Sequence, residues 1–222
     1  MGEIYFVRHA QASMGSDNYD QLSELGYQQA RWLGQYFADR GLEFDHLAMG
    51  TLARHRQTAE AMADHWTLPE TQLDAGLNEF DFQGLLKSYL LHHPDIEPPD
   101  RKNLRAIFSV LRKAMLAWSR DELSLELKEP YGDFSKRVAD ALERVRAAAP
   151  RRALVVTSGG PISMTLKHIM GFDDETVVGM NLQSRNTSIN EVYFDQRVTY
   201  VTSFNHVPHL DLPERRKAIT HA

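Results

Sequence analysis

Apolar residues recur along this chain in two rhythms, and their alternation outlines a sheet with helices laid on it. Residues 4–7, IYFV, form a short strand-like run that stops at the polar pair Arg8-His9. Residues 23–38 follow the helical period: Leu22, Ala30, Leu33 and Phe37 fall near one face, Ser23 caps the first turn and Gly41 closes the segment. A second strand is predicted at 46–49, a helix in the second half of GTLARHRQTAEAMADH (50–65), and a third strand at 71–74.

From 77 to 130 the pattern changes. HHPDIEPPD (92–100) is broken by prolines, and Asp100 is the expected cap of a long helix in which Leu104, Ile107, Phe108, Leu111, Met115 and Trp118 recur at helical spacing. With no strand alternation, this stretch is predicted to be a helical insertion lying over the sheet. The chain returns through a helix at 132–148, with Phe134, Val138, Leu142 and Val145 inward. A strand at 153–156, a helix at 161–170 and two β-branched runs at 187–194 and 198–204 follow, the last two joined as a hairpin by Asp195 and Gln196. This order predicts an α/β fold: a three-layer α/β/α sandwich whose mostly parallel sheet has an antiparallel edge region. A single domain is expected over 1–222, with its helical lid at about 77–130. Ligands of such sheets bind beyond the carboxyl ends of the parallel strands. Arg8-His9, the Arg54 segment and Ser158-Gly159 should therefore meet at one edge.

Composition narrows the partners. Of the 222 residues 42% are apolar and 25% charged, ordinary for a soluble domain with one full core. A net charge of −5 offers no footprint for nucleic acid or an anionic membrane, so neither is expected as a partner. Any phosphate site must then be a local pocket of arginines. Cysteine is absent, which excludes disulfides, thiolate chemistry and cysteine-zinc sites. MGEIYFVRHA lacks the features of a signal peptide, and no apolar run approaches membrane-spanning length, so a soluble, cytoplasmic protein is expected. No feature specifies an oligomeric state.

Candidate chemistry starts at ALVVTSGG (153–160), a buried strand running into a turn that Pro161 follows. Such a turn offers free backbone N–H groups to an anion. Arg8-His9 alone is an ordinary surface pair. It gains meaning from its company: VRHAQAS (7–13), then LSELGYQQA (22–30), LARHRQTAE (52–60) and LNEFDF (77–82). In this order and spacing the chain, from about 4 to 205, resembles the histidine phosphatase superfamily with its phosphoglycerate-mutase-like fold.

That resemblance implies His9 as the nucleophile, attacking phosphorus as a neutral ring and carrying the phosphoryl group as phosphohistidine. It implies Arg8 and Arg54 on the non-bridging oxygens, where forked cations suit a transferring phosphoryl group. Arg56 competes with Arg54 for that role, and a helix-surface role is expected for it. Glu79 matches the family's acid, with Asp81 in reserve. The implied substrate is a small phosphorylated metabolite. No metal or other cofactor is implied, and His92-His93 lacks an acidic partner at diagnostic spacing.

Two positions depart from the family's form. Ala10 stands where glycine is usual, so backbone strain is expected if φ there is positive. Ser158 stands where a second histidine would donate to the phosphoryl group. Ser158 and the Gly159 N–H each offer one hydrogen bond without charge, and an uncompensated loss would slow chemistry roughly a hundredfold or more. The ending SFNHVPHL (203–210) supplies candidates for compensation, with His209 preferred to His206, provided the last strand runs parallel to the first. Gln11 and Asn186 are candidate substrate binders, or turn residues. Together these imply a metal-independent phosphatase working through His9. The alternative is a weakly active or inactive domain that recognises phosphate. A mutase is disfavoured, because no second basic cluster is evident and Lys102, Arg105, Arg112 and Lys113 read as a solvated face.

Overall fold

The computed structural model describes residues 1–13, 20–100, 103–125, 127–148, 151–195 and 197–221; Lys102 and Gln196 lie outside them. In chain order the elements are β1 (Gly2–Arg8), α1 (Glu24–Asp39), β2 (His46–Met49), α2 (Ala53–Met62), β3 (Thr71–Leu73), α3 (Phe82–His92) and α4 (Leu104–Ser119). Then come α5 (Tyr131–Ala148), β4 (Arg152–Thr157), α6 (Gly159–Met170), α7 (Asp174–Gln183), β5 (Ile189–Phe194) and β6 (Thr199–His206).

The six strands form one sheet in the order β3-β2-β4-β1-β5-β6. β1 to β4 are mutually parallel, β5 is antiparallel to β1, and β6 is antiparallel to β5. β6 therefore runs parallel to β1, as the hairpin requires. β1 shows how side-chain alternation builds the layers. Ile4 and Phe6 join Val155, Ile162, Leu166, Leu142 and Val145 on the face covered by α5 and α6. Val7 joins Leu154, Val156, Leu33, Phe37, Ala59 and Met62 under α1 and α2. Both faces of β4 are sealed, which is why its sequence is an unbroken apolar run.

The insertion is helical. Leu111, Met115 and Trp118 of α4 bury their stripe with Phe80, Leu85, Tyr89, Phe134 and Val138 in a separate apolar cluster. Its cap is Asn103, which accepts from the Ala106 N–H, and not Asp100 as the sequence suggested. α6 starts at Gly159, two residues before the predicted start; Pro161 fits a first turn because its missing N–H has no helical acceptor there. α7 was not foreseen. Its buried residues Val177, Val178 and Met180 share one face, but Gly179 and Asn181 interrupt the apolar run; Asp173 caps it by accepting from Thr176 N–H. Among the described residues no helix is long and apolar enough to cross a membrane.

Register fixes the functional edge. Arg8 lies opposite Thr157 and Met49 opposite Val156, so β1, β2 and β4 end side by side. β5 begins there, with Ile189 opposite Val7.

Candidate active site

His9 is the first residue beyond β1, and its N–H donates to Thr157 O at 2.8 Å. Its ring is 4% exposed. Nδ1 lies 2.8 Å from Ala10 O, which can only accept, so Nδ1 carries the proton. Arg54 Nε donates to Nε2 at 3.2 Å, so Nε2 presents a lone pair. Burial, then the charges of Arg54 and Arg8, hold this imidazole well below its ordinary pKa. A neutral ring with one defined nucleophilic nitrogen results.

The segment LARHRQTAE reads as one helix whose successive residues have separate tasks. Arg54 meets His9. Three and four positions on, Gln57 Oε1 accepts from Leu22 N–H at 2.9 Å and Thr58 Oγ1 accepts from Ala10 N–H at 3.0 Å. His55 turns toward β4, its Nε2 2.8 Å from Ser158 Oγ. Arg56 points outward to Glu60 at 3.3 Å. Asp20 caps the helix through Ala53 N–H and grips Arg54 Nη1, at 2.8 and 2.9 Å. Sequence reasoning missed Asp20 and His55, since nothing local links either to its partner. Ala10 is not strained: φ is positive instead at Thr187, 56°, whose N–H bonds Arg8 O at 3.1 Å. A β-branched residue there costs on the order of 1–3 kcal/mol and is tolerated where the surroundings fix it.

Arg8 projects toward the C-terminal segment, donating to Ser184 O and, at 2.6 Å, to His221 O. Its charge still reaches both His9 and Glu79. Asn186 Nδ2 donates to His9 O at 3.2 Å, while its N–H and Oδ1 engage Thr220, each at 2.9 Å. Asn186 thus holds the backbone of His9. Gln11 is tied to α1, its Oε1 accepting from Ser23 Oγ at 2.8 Å and its N–H donating to Gln29 Oε1 at 2.8 Å.

The turn at 157–160 does hold a carboxyl group, and it belongs to the protein. Glu79 Oε2 accepts from Gly160 N–H and Oε1 from Phe80 N–H, both at 3.2 Å. A Cβ on Gly160 would sit 2.1 Å from Glu79 Oε1, so only glycine admits this approach. Burial raises the carboxyl's pKa, opposed in part by the Gly160 N–H and by Arg54 and Arg8. Glu79 as a whole residue is half-buried. Asp81 has other work: it caps α3 through Gly84 N–H at 3.1 Å and pairs with Lys128 at 2.8 Å. Gly159 lies under Asn181, where a Cβ would be 2.5 Å from Oδ1.

His209 does not partner Ser158. Its Nε2 lies 2.8 Å from Thr187 Oγ1 and its ring faces Tyr36 with centroids 6.2 Å apart. Burial, with Arg215 next, pushes its pKa down to about 3. His206 is exposed at the end of β6. His92 Nδ1 bonds Ser88 O at 2.9 Å and His93 packs on Tyr89; among the described residues no group of three metal-binding side chains assembles.

A neutral imidazole contacted by a guanidinium, near a second one and a carboxylic acid of raised pKa, defines a site for phosphoric monoester chemistry at the edge of an α/β sheet. The chain belongs to the histidine phosphatase superfamily (branch 1), which matches residues 4–207. It is 22% identical over 238 residues to the 2,3-bisphosphoglycerate-dependent phosphoglycerate mutase of Histophilus somni, across 91% of this chain and 99% of that one. A mycobacterial glucosyl-3-phosphoglycerate phosphatase solved with inorganic phosphate superposes with TM-score 0.67 at 18% identity, covering 95% of this chain and 100% of its own. The alpha-ribazole phosphatase of Shigella flexneri gives TM-score 0.63 at 18% identity, over 92% and 96%. At these identities the structural likenesses establish the fold.

Proposed function

We propose that this protein is a metal-independent phosphatase that hydrolyses a small cytoplasmic phosphomonoester through phosphohistidine on His9. The observation that carries the reading is the tautomer of His9: Nδ1–H on Ala10 O and an unprotonated Nε2 facing Arg54. Substrate takes over the Arg54 Nε–H, which passes from the imidazole lone pair to a phosphoryl oxygen. Nε2 then attacks phosphorus and the P–O bond to the leaving group breaks. Protonated Glu79 gives its proton to the departing oxygen, releasing an alcohol. In the second step water attacks phosphorus, Glu79 takes the water's proton, and the P–N bond breaks to yield inorganic phosphate. Positive charge from Arg54 and Arg8 stabilises both steps electrostatically. The α3–α4 lid is the part expected to choose the substrate.

The test is hydrolysis of an aryl phosphate with chelator present, comparing wild type with His9→Ala. Turnover is expected in the first and lost in the second. Equal rates would eliminate catalysis through His9.

A further inference from the structure

The steps above use one imidazole, yet a second lies beside it. His55 is fully buried, and its ring centroid is 5.7 Å from that of His9 with the planes 38° apart. Gly50 makes room for it, since a Cβ there would fall 2.3 Å from His55 Nδ1. Packing does not explain an imidazole at this place. Nδ1 is buried and makes no well-formed hydrogen bond, only a poorly placed contact with the Gly50 backbone, so an apolar ring would fill the same space at lower cost. What the imidazole gains is Nε2 against Ser158 Oγ, at 2.8 Å.

We propose that His55 is the site's second imidazole, acting through Ser158: its Nε2–H donates to Ser158 Oγ and leaves the serine O–H to donate to a phosphoryl oxygen on His9. This rests on the phosphatase reading above. His9 and Ser158 leave neighbouring parallel strands abreast, the register placing Arg8 opposite Thr157 just before them. A hydroxyl has one proton. Given to His55, it is lost to the substrate; with His55 as donor it is free. Burial and Arg54 keep the ring neutral, so it carries a single N–H. An N–H on Nδ1 would have only a weak contact with the Gly50 backbone, whereas an N–H on Nε2 meets Ser158 Oγ at 2.8 Å, which favours the Nε2–H form. The imidazole that the family resemblance puts at 158 thus comes from the neighbouring helix, and a hydroxyl relays it. His55 is a positioning residue, since Ser158 makes the contact.

Two measurements test this. Ring-nitrogen chemical shifts of histidine-labelled wild type report the tautomer directly. Protonated Nε2 in His55 is expected, and protonated Nδ1 overturns the proposal without any variant having to fold. Aryl phosphate turnover and vanadate inhibition are then compared for His55→Phe, Ser158→Ala, their double variant and His55→Gln. Each single loss should lower kcat about a hundredfold and weaken vanadate in parallel, with little change in KM. The double variant should be no slower than either single, because the two residues act as one unit. His55→Gln, whose side-chain amide can donate from a similar position, should recover most of the rate. A merely structural His55 would not show that rescue or that coupling. Wild-type rates in His55→Phe, additive losses, or a glutamine variant as slow as phenylalanine would each overturn the proposal. His9→Ala in the same assay separates the failures. If it abolishes turnover while His55→Phe does not, only this inference falls; if it leaves turnover intact, the phosphatase reading falls and takes the inference with it.

Discussion

His9 is set by its neighbour and by two distant stretches: Ala10 O on one nitrogen, Arg54 on the other and Asn186 on its carbonyl. Because the folded ring stays neutral well below the ordinary imidazole range, kcat/KM should not fall as pH drops through about 6.5. Glu79 must be protonated to serve the leaving group, and its pKa is raised, so activity should decline as pH rises through that raised value. A pH–rate profile checks both limbs, and Glu79→Gln should lose the alkaline one. Gly160→Ala should push the carboxylate away, because the new Cβ would meet Oε1 at 2.1 Å; kcat should fall more than KM. The meeting of His9 with Arg54 was legible in the sequence because two motifs fell at strand and helix ends that α/β topology brings together. Asp20 was not, since 34 residues separate it from Arg54 and a lone aspartate carries no pattern.

Elements were readable where one face alone is buried. α1 and α4 have such faces, and their periods were clear. α7 lies between the lid and α6, and its short buried face, interrupted by Gly179 and Asn181, left no apolar rhythm to detect. The start of α4 turned on cap chemistry at two candidate residues. Asn103 accepts the Ala106 N–H at 3.1 Å, so Asn103→Ala should lower stability by about 1 kcal/mol in urea unfolding. Asp100→Ala should change it much less. A reversal of that order would show that the helix starts elsewhere.

Across the whole molecule, the mostly parallel sheet with its antiparallel edge followed from alternation of elements, but the path of residues 207–221 did not. That segment has no period; it is held by long-range bonds such as Gln29 Nε2 to Ala218 O at 2.7 Å and by Arg8 to His221 O. Stability against acid is likewise a property of the whole fold. His9, His55 and His209 are buried with lowered pKa values, His209 to about 3. Their unfolded forms take up protons near pH 6.5, so their contribution is fully present above that pH and is lost as pH falls below it. Urea titrations across pH should show stability declining as pH falls below about 6.5, and His209→Gln should make that decline shallower. A stability flat from pH 7 to 4 would mean that these rings are solvated.

The central claim is a covalent bond between phosphorus and one ring nitrogen. Rapid quench of wild type with radiolabelled aryl phosphate, chelator present, should yield a label that is stable to alkali, labile to acid and confined to the peptide bearing His9. An acid-stable label on Ser158, or full turnover with no covalent label at any time point, would contradict it.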